Sequence, residues 1–269
     1  MDFRKLRDNL IAQGYSQRTA DAKIAHDSVL QAIEAAKFHD HLTVKGGVVM
    51  SGLTGLARRA TMDMDVDFLH YSLSEASIRR FIDRLNRHSP CLIAIDGPIV
   101  ELRQQEYRGK RLFIVVADEN EASVRTKIDI GIHSRADVIQ SDFAFKVVTN
   151  QETVQLLANS REQILVEKLK SLLRLGYVST RYKDVFDIFY LSSHIRRTIL
   201  RQYLKLFIYD DPHMIENDII DIVARLERIF ANRTFMNRLS NPNVSWLDVP
   251  ASDVAQGILS FLASLKKRS

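Results

Sequence analysis

The sequence predicts an α/β (α+β) fold: helices at the N-terminus, a strand-rich middle, and a helical C-terminal domain. Three observations carry this. The first forty residues place their apolar side chains at helical spacing. Residues 91–133 hold short β-rich runs separated by turn signals. From about residue 160 the apolar residues return to helical spacing. The expected division is 1–158, carrying the sheet and the N-terminal helices, and 159–269, helical.

The elements follow in order. SQRTADAKIAHDSVLQAIEAAKF opens on Ser16, whose hydroxyl suits an N-cap. LTVKGG (42–47) is a short strand ending in a glycine pair, and a helical turn follows it. MDMDVDFLHY alternates as a strand does. SEASIRRFIDRLNRH (74–88) is an amphipathic helix with Ser74 at its N-cap. CLIAI, IVELRQQEY, RLFIVVA and SVRTKIDIGIH read as mostly antiparallel strands joined by turns such as DG and RGK. REQILVEKLKSLLRLG is a helix stopped at Gly176. RYKDVFDIFYLSSH and stretches around 196–208, 212–231 and 250–267 complete the helical part.

The bulk properties narrow the function classes. With 269 residues, 46% of them hydrophobic, the chain can build one large core or two ordinary ones. Its single cysteine, Cys91, lies in an apolar run and has no partner for an intramolecular disulfide, which suits a reducing compartment. MDFRKLRDNLIAQG lacks the apolar stretch of a signal peptide, and no run approaches the roughly 18 apolar residues of a membrane span. The expectation is a soluble cytoplasmic protein without a membrane partner. The net charge of +5 is uneven: residues 1–158 hold 21 basic and 21 acidic residues, residues 159–269 hold 17 and 12. A basic C-terminal part is compatible with a nucleic-acid partner and equally with solvated helix faces. There is no Walker loop, Ser-x-x-Lys or nucleophile elbow, and the closest histidines, His39 and His41, form no ligand cluster.

The chemistry concentrates in two strands. Gly46 and Gly47 end a strand where bare backbone can approach a phosphate, and N–H groups of the next helix can face it. Taken alone, the pair is equally an ordinary turn. Asp63, Asp65 and Asp67 sit two apart and project from one strand face, about 6.6 Å from one to the next. Three like charges in a row call for positive charge among them, and hard cations such as Mg²⁺ take carboxylate oxygens together with substrate phosphates. A solvent-facing edge strand is the plain alternative. Asp129 interrupts another apolar strand, and burying it unpaired is expensive. A shared metal would satisfy it, and so would an ion pair with Lys127 on the same strand face.

Strand, Gly-Gly, helix, Asp-x-Asp and a later lone Asp resemble the core of polymerase-beta-like nucleotidyltransferases. More specifically, Lys45-Gly46-Gly47 followed by Arg59-x-Thr61-x-Asp63-x-Asp65 resembles the first motif of the AbiEii/MenT-like nucleotidyltransferase toxins of bacterial toxin–antitoxin and abortive-infection systems. The Glu167-Lys168 pair and the run Lys183-Asp184 with Asp187 resemble the later motifs, so the resemblance spans roughly residues 40 to 192. One departure is Val48, where the family often has Thr or Ser; backbone amides or Ser51 would serve instead.

The resemblance implies a nucleotidyltransferase-like mixed sheet flanked by helices, with the active site in a cleft completed by the helical domain. It selects Asp63 and Asp65 as the metal pair and leaves Asp67 as a supporting or solvated charge. Two Mg²⁺ ions, held by Asp63 and Asp65 with Asp129 completing the site, would support transfer of a nucleoside monophosphate from an NTP. Lys45, Gly46, Gly47, Arg59, Thr61 and Lys168 would bind the nucleotide, and Asp63, Asp65, Lys168 and Asp184 would be catalytic. Arg181 and Lys183 are candidate phosphate or nucleic-acid contacts, or inert exposed residues. The implied acceptor is RNA such as the tRNA 3′ end, and the implied partner a cognate antitoxin. The alternatives are transfer to a protein or small molecule, and a non-catalytic nucleic-acid-binding protein on the same scaffold.

Overall fold

The computed structural model describes residues 1–102, 109–133, 138 and 140–266. The chain divides into two compact units, Met1–Asn159 and Ser160–Ser269. Among the described residues, no helix is long and apolar enough to cross a membrane.

The first unit is a mixed α/β layer structure. It opens with α1 (Phe3–Ala12) and α2 (Gln17–Ala35); the Ser16 hydroxyl caps α2 by accepting from the Thr19 N–H. β1 (Leu42–Lys45) leads into α3 (Gly46–Thr54), then β2 (Asp63–Phe68) and α4 (Glu75–Asn86), capped by Ser74. β3 (Leu92–Ile95), β4 (Val100–Leu102), β5 (Gly109–Ala117), β6 (Ser123–Ile132), β7 (Ser141–Lys146) and β8 (Thr153–Ala158) follow. The sheet runs β3-β5-β6-β2-β1-β8-β7, with β4 also on β5. β2/β6 and β1/β8 are parallel and the other pairs antiparallel. The sheet is thus mixed, as the resemblance implies.

Two details differ from the sequence expectations. β7 and β8 were not expected from sequence; β7 is an exposed edge whose alternation is weak. Gly109 and Lys110, read as a turn, already belong to β5, because β4 pairs back along it from Leu102↔Gly109. Of the strand expected over 99–107, Ile99 is outside β4 and residues 103–107 lie outside the described residues, as does Arg108 of the same turn.

Alternation gives the central strands two unlike faces. Met64 and Val66 of β2 stand beside Ile128 and Ile130 of β6, all essentially fully buried. α2 covers this face. Its buried His26 contacts the Thr126 hydroxyl at 2.9 Å, and that hydroxyl donates to the Met62 carbonyl at 3.2 Å. The threonine lone pairs therefore take the Nε2–H of a neutral imidazole. Burial, with the nearby Lys23 charge second, pushes the His26 pKa down from 6.5 to about 3.

The sign of the linkage follows. Between these two values the unfolded chain binds the proton and the folded chain does not, so stability is full above pH 6.5 and is lost as pH falls toward 3. From pH 7.5 to 5 the expected loss is about 2 kcal/mol. Urea unfolding at both values reads it. His26→Gln should flatten that part of the profile, and an unchanged slope in the variant would assign it elsewhere.

The second unit is helical. α5 (Arg161–Leu175) is capped by Ser160 and stopped at Gly176, whose φ of +61° suits glycine. α6 (Tyr182–Ser192), α7 (Arg197–Leu204), α8 (Ile219–Phe230), α9 (Arg233–Leu239) and α10 (Ala251–Ala263) follow. α7 continues into one wider turn, Lys205–Tyr209. The helix expected over 212–231 starts only at Ile219, where the Asp218 carboxylate accepts from the Ile220 and Asp221 N–H groups. α9, only seven residues long, was not expected from sequence. The helix expected over 250–267 ends at Ala263 in the structure, and Lys267 lies outside the described residues.

Candidate active site

β1 runs straight into α3 through the two glycines, and the structure supplies the reason for both. Gly46 has φ +65°, and a Cβ there would lie 2.6 Å from Asp65 Oδ2. A Cβ on Gly47 would lie 2.5 Å from Thr61 Oγ1. The glycines thus let the start of α3 press against an acid and a hydroxyl of the Arg59–Asp65 segment. Gly46→Ala is expected to cost about 1–2 kcal/mol for the left-handed backbone alone, and to displace the Asp65 carboxylate. Denaturant unfolding and a crystal structure of the variant would check both. An unshifted Asp65 would mean the close approach is incidental.

The sheet face opposite α2 is charged. One row of register partners crosses four strands: Arg111 of β5, Asp129 of β6, Asp65 of β2 and Lys45 of β1. The flanking rows place Lys127 beside Asp63, and Gly131 beside Asp67 beside Thr43. Asp63, Asp65, Asp67 and Asp129 therefore share one face, and bases are interleaved among them. Lys127 Nζ meets Asp63 Oδ2 at 2.9 Å, and Lys45 Nζ meets Asp67 Oδ1 at 2.7 Å. Arg111 holds Asp129 with two bonds of 2.7 Å, Nε to Oδ1 and Nη2 to Oδ2. Any side chain at Gly131 would run into the Asp67 carboxylate, so this glycine makes room for the Lys45–Asp67 pair.

Two expectations are corrected here. The ion pair weighed between Lys127 and Asp129 does not form. Lys127 turns to its register neighbour Asp63, and Asp129 takes Arg111 from the adjoining strand. Direct cross-strand neighbours are about 5 Å apart, closer than residues two apart along one strand. Asp67 is not a solvated charge: it is buried against Lys45, a lysine expected to bind nucleotide.

Arg111 and Gly131 are the residues that sequence reasoning missed. Hydrogen bonds to Asp129 raise the Arg111 pKa first; burial opposes this, and the charges of Asp129, Asp63 and Asp65 add to the rise. Arg59 is buried in the turn Ala57–Arg59, and the Thr61 hydroxyl donates to the Asp63 carbonyl at 3.3 Å. Val48 is buried. Ser51 and Thr61 line a small cleft together with Lys23, Asp27 and Lys146.

The donor chemistry suits a hard cation, since Asp63 and Asp65 offer carboxylate oxygens from one strand face, with Asp65 against the glycine at the start of α3. Among the described residues, no three His, Cys, Asp or Glu side chains gather into a metal cluster.

In the second unit, α5 and α6 bring Lys168, Asp184 and Asp187 together. The buried Lys168 ammonium donates to Asp184 and lies 2.9 Å from Asp187 Oδ2. Arg181 Nε holds the other Asp184 oxygen at 2.6 Å. Burial pushes the Asp184 pKa upward, but the charges of Lys168 and Arg181 and their hydrogen bonds outweigh it and hold the carboxyl below its ordinary 3.8. Glu167 accepts from Gln163 Nε2 at 2.9 Å. Lys183 is exposed on the first turn of α6. Two residues beyond Lys168 along α5, the buried Lys170 pairs with Asp211.

An Asp-x-Asp strand against a Gly-Gly helix start is the arrangement of a nucleotidyltransferase core, and the comparisons with known proteins give the class. Residues 28–239 match the family described as "Nucleotidyl transferase AbiEii toxin, Type IV TA system", so the chain belongs to the AbiEii nucleotidyltransferase toxin family. Among solved structures it is similar to an antigenic nucleotidyltransferase-like protein from Paracoccidioides brasiliensis, at 16% identity over 81% of this chain and 92% of that one, with a TM-score of 0.44. No curated protein matches the chain.

Proposed function

We propose that this nucleotidyltransferase transfers a nucleoside monophosphate from an NTP to an RNA acceptor such as the tRNA 3′ end, and that it does so with Mg²⁺. One observation carries the reading. Asp63 and Asp65 share a strand face at the glycine-opened start of α3, with the Asp65 carboxylate where a Cβ on Gly46 would be. Asp63 and Asp65 would hold the metal ions. Bound there, Mg²⁺ would supply Lewis acidity to the phosphates and lower the pKa of an acceptor hydroxyl. The protein's own groups do the positioning. Gly46 and Gly47 let Asp65 and Thr61 press against the start of α3, whose N–H groups would favour negative charge nearby. Lys168 is the phosphate-binding ammonium in this reading, and Asp184 orients it.

The family supports a toxin acting in the cytoplasm with a cognate antitoxin as partner. The test is incubation of the protein with Mg²⁺, each α-labelled NTP and total tRNA. Label on RNA is the expected result. Label on a protein band, or no transfer and no NTP binding, would overturn the RNA-directed reading.

A further inference from the structure

The acid face carries its own bases, and their placement has a consequence for metal binding. Arg111 grips both oxygens of Asp129 at 2.7 Å, the fork-on-carboxylate geometry that gives the strongest charge-assisted bonds. The acid lies beneath the base: the Asp129 side chain is 10% exposed and that of Arg111 36%. Arg111 and Asp129 head the row that continues to Asp65, and Lys127 sits on Asp63 at 2.9 Å. Asp63 therefore has a base one strand away, and Asp65 has Arg111 two strands away, beyond Asp129. A guanidinium is never deprotonated in a protein, so this positive charge is permanent.

We propose that Arg111 is a positioning residue that keeps Asp129 out of the metal shell, and that Arg111 and Lys127 together make divalent-metal loading depend on the phosphates of the nucleotide. This rests on the reading of Asp63 and Asp65 as metal ligands. The physical argument is charge balance. Two cations among the three carboxylates Asp63, Asp65 and Asp129 leave one net negative charge to attract a free dication, and one unit charge at this range changes affinity by about tenfold. A triphosphate brings the missing negative charge and its own oxygen ligands. The metal then arrives with the nucleotide rather than before it.

The test uses the full chain and Mn²⁺ as the probe, read by electron paramagnetic resonance, with and without a non-hydrolysable NTP analogue. The wild type should bind Mn²⁺ alone weakly, and the analogue should raise its affinity by about tenfold or more. Arg111→Gln and Lys127→Gln should each tighten binding of Mn²⁺ alone by about tenfold. Arg111→Lys, which keeps the charge, should stay near wild type. The double variant Arg111→Gln/Asp129→Asn, neutral at both positions and so carrying the wild-type net charge, should return to near wild-type affinity. If the double variant binds Mn²⁺ much more weakly than wild type, Asp129 is a metal ligand and the proposal is wrong. It is equally wrong if Arg111→Gln binds Mn²⁺ no better than wild type. Asp65→Asn should remove Mn²⁺ binding in every background; if it does not, the metal-site reading beneath the proposal fails, whatever Arg111 does.

Discussion

Asp65→Asn is expected to lower nucleotide transfer by about 10³-fold or more, equivalent to about 4 kcal/mol of lost transition-state stabilisation. The amide keeps the volume of the carboxylate and still fits beside Gly46, so the fold should survive; what is lost is a negative charge. Asp63→Asn should have a similar effect on transfer. Its side chain is 48% exposed and its pair with Lys127 is only partly covered, so the stability change should be within about 1 kcal/mol. Asp67→Asn should behave the other way. It breaks a largely buried pair with Lys45 and should cost more stability, while transfer falls less. Initial rates of label transfer together with denaturant unfolding separate the three. A silent Asp63→Asn beside a dead Asp67→Asn would move the metal pair to Asp65 and Asp67.

Much of this site was legible because its residues are local in sequence. Lys45-Gly46-Gly47 ends one strand, and Asp63-x-Asp65 lies on the next, so motif and alternation place them without any long-range information. The caps at Ser16 and Ser74 and the stop at Gly176 are local too. What failed depended on strand register. Arg111 reaches Asp129 across 18 residues of chain, and nothing in RLFIVVA marks its first residue as the base that a distant aspartate needs. Gly131 reads as an unremarked glycine at the end of a strand until β6 is laid beside β2, when it becomes the space that Asp67 occupies. The Lys127–Asp129 expectation erred for the same reason: along one strand two candidate partners look close, but the neighbouring strand is closer. β7 escaped because an edge strand buries little and so alternates little. Register is decided by the packing of whole faces, which no window of the sequence contains.

The second large effect is expected in the helical unit. Lys168→Met should destabilise that unit by about 3–5 kcal/mol, the usual cost of removing one partner from a buried ion pair. Methionine fills the space of the lysine stem, so the loss is electrostatic: Asp187, fully buried, loses an ammonium at 2.9 Å, and Asp184 retains Arg181. The pH dependence fixes the sign. The Asp184 carboxyl is held below its ordinary 3.8 in the fold, so its contribution is complete above that value and disappears as pH falls through the folded value. The gap between wild type and variant should therefore be widest near neutral pH and narrow in acid. A double variant, Lys168→Met/Asp187→Asn, should recover part of the loss, since an amide is far cheaper to bury than a carboxylate that has lost its ammonium. Urea unfolding of the three proteins at pH 7 and at pH 2.5 gives the answer. A Lys168→Met protein as stable as wild type, yet unable to transfer nucleotide, would make Lys168 a ligand-binding group with no part in holding α5 and α6 together. A gap that does not narrow in acid would mean that Asp184 is not the group whose burial Lys168 makes affordable.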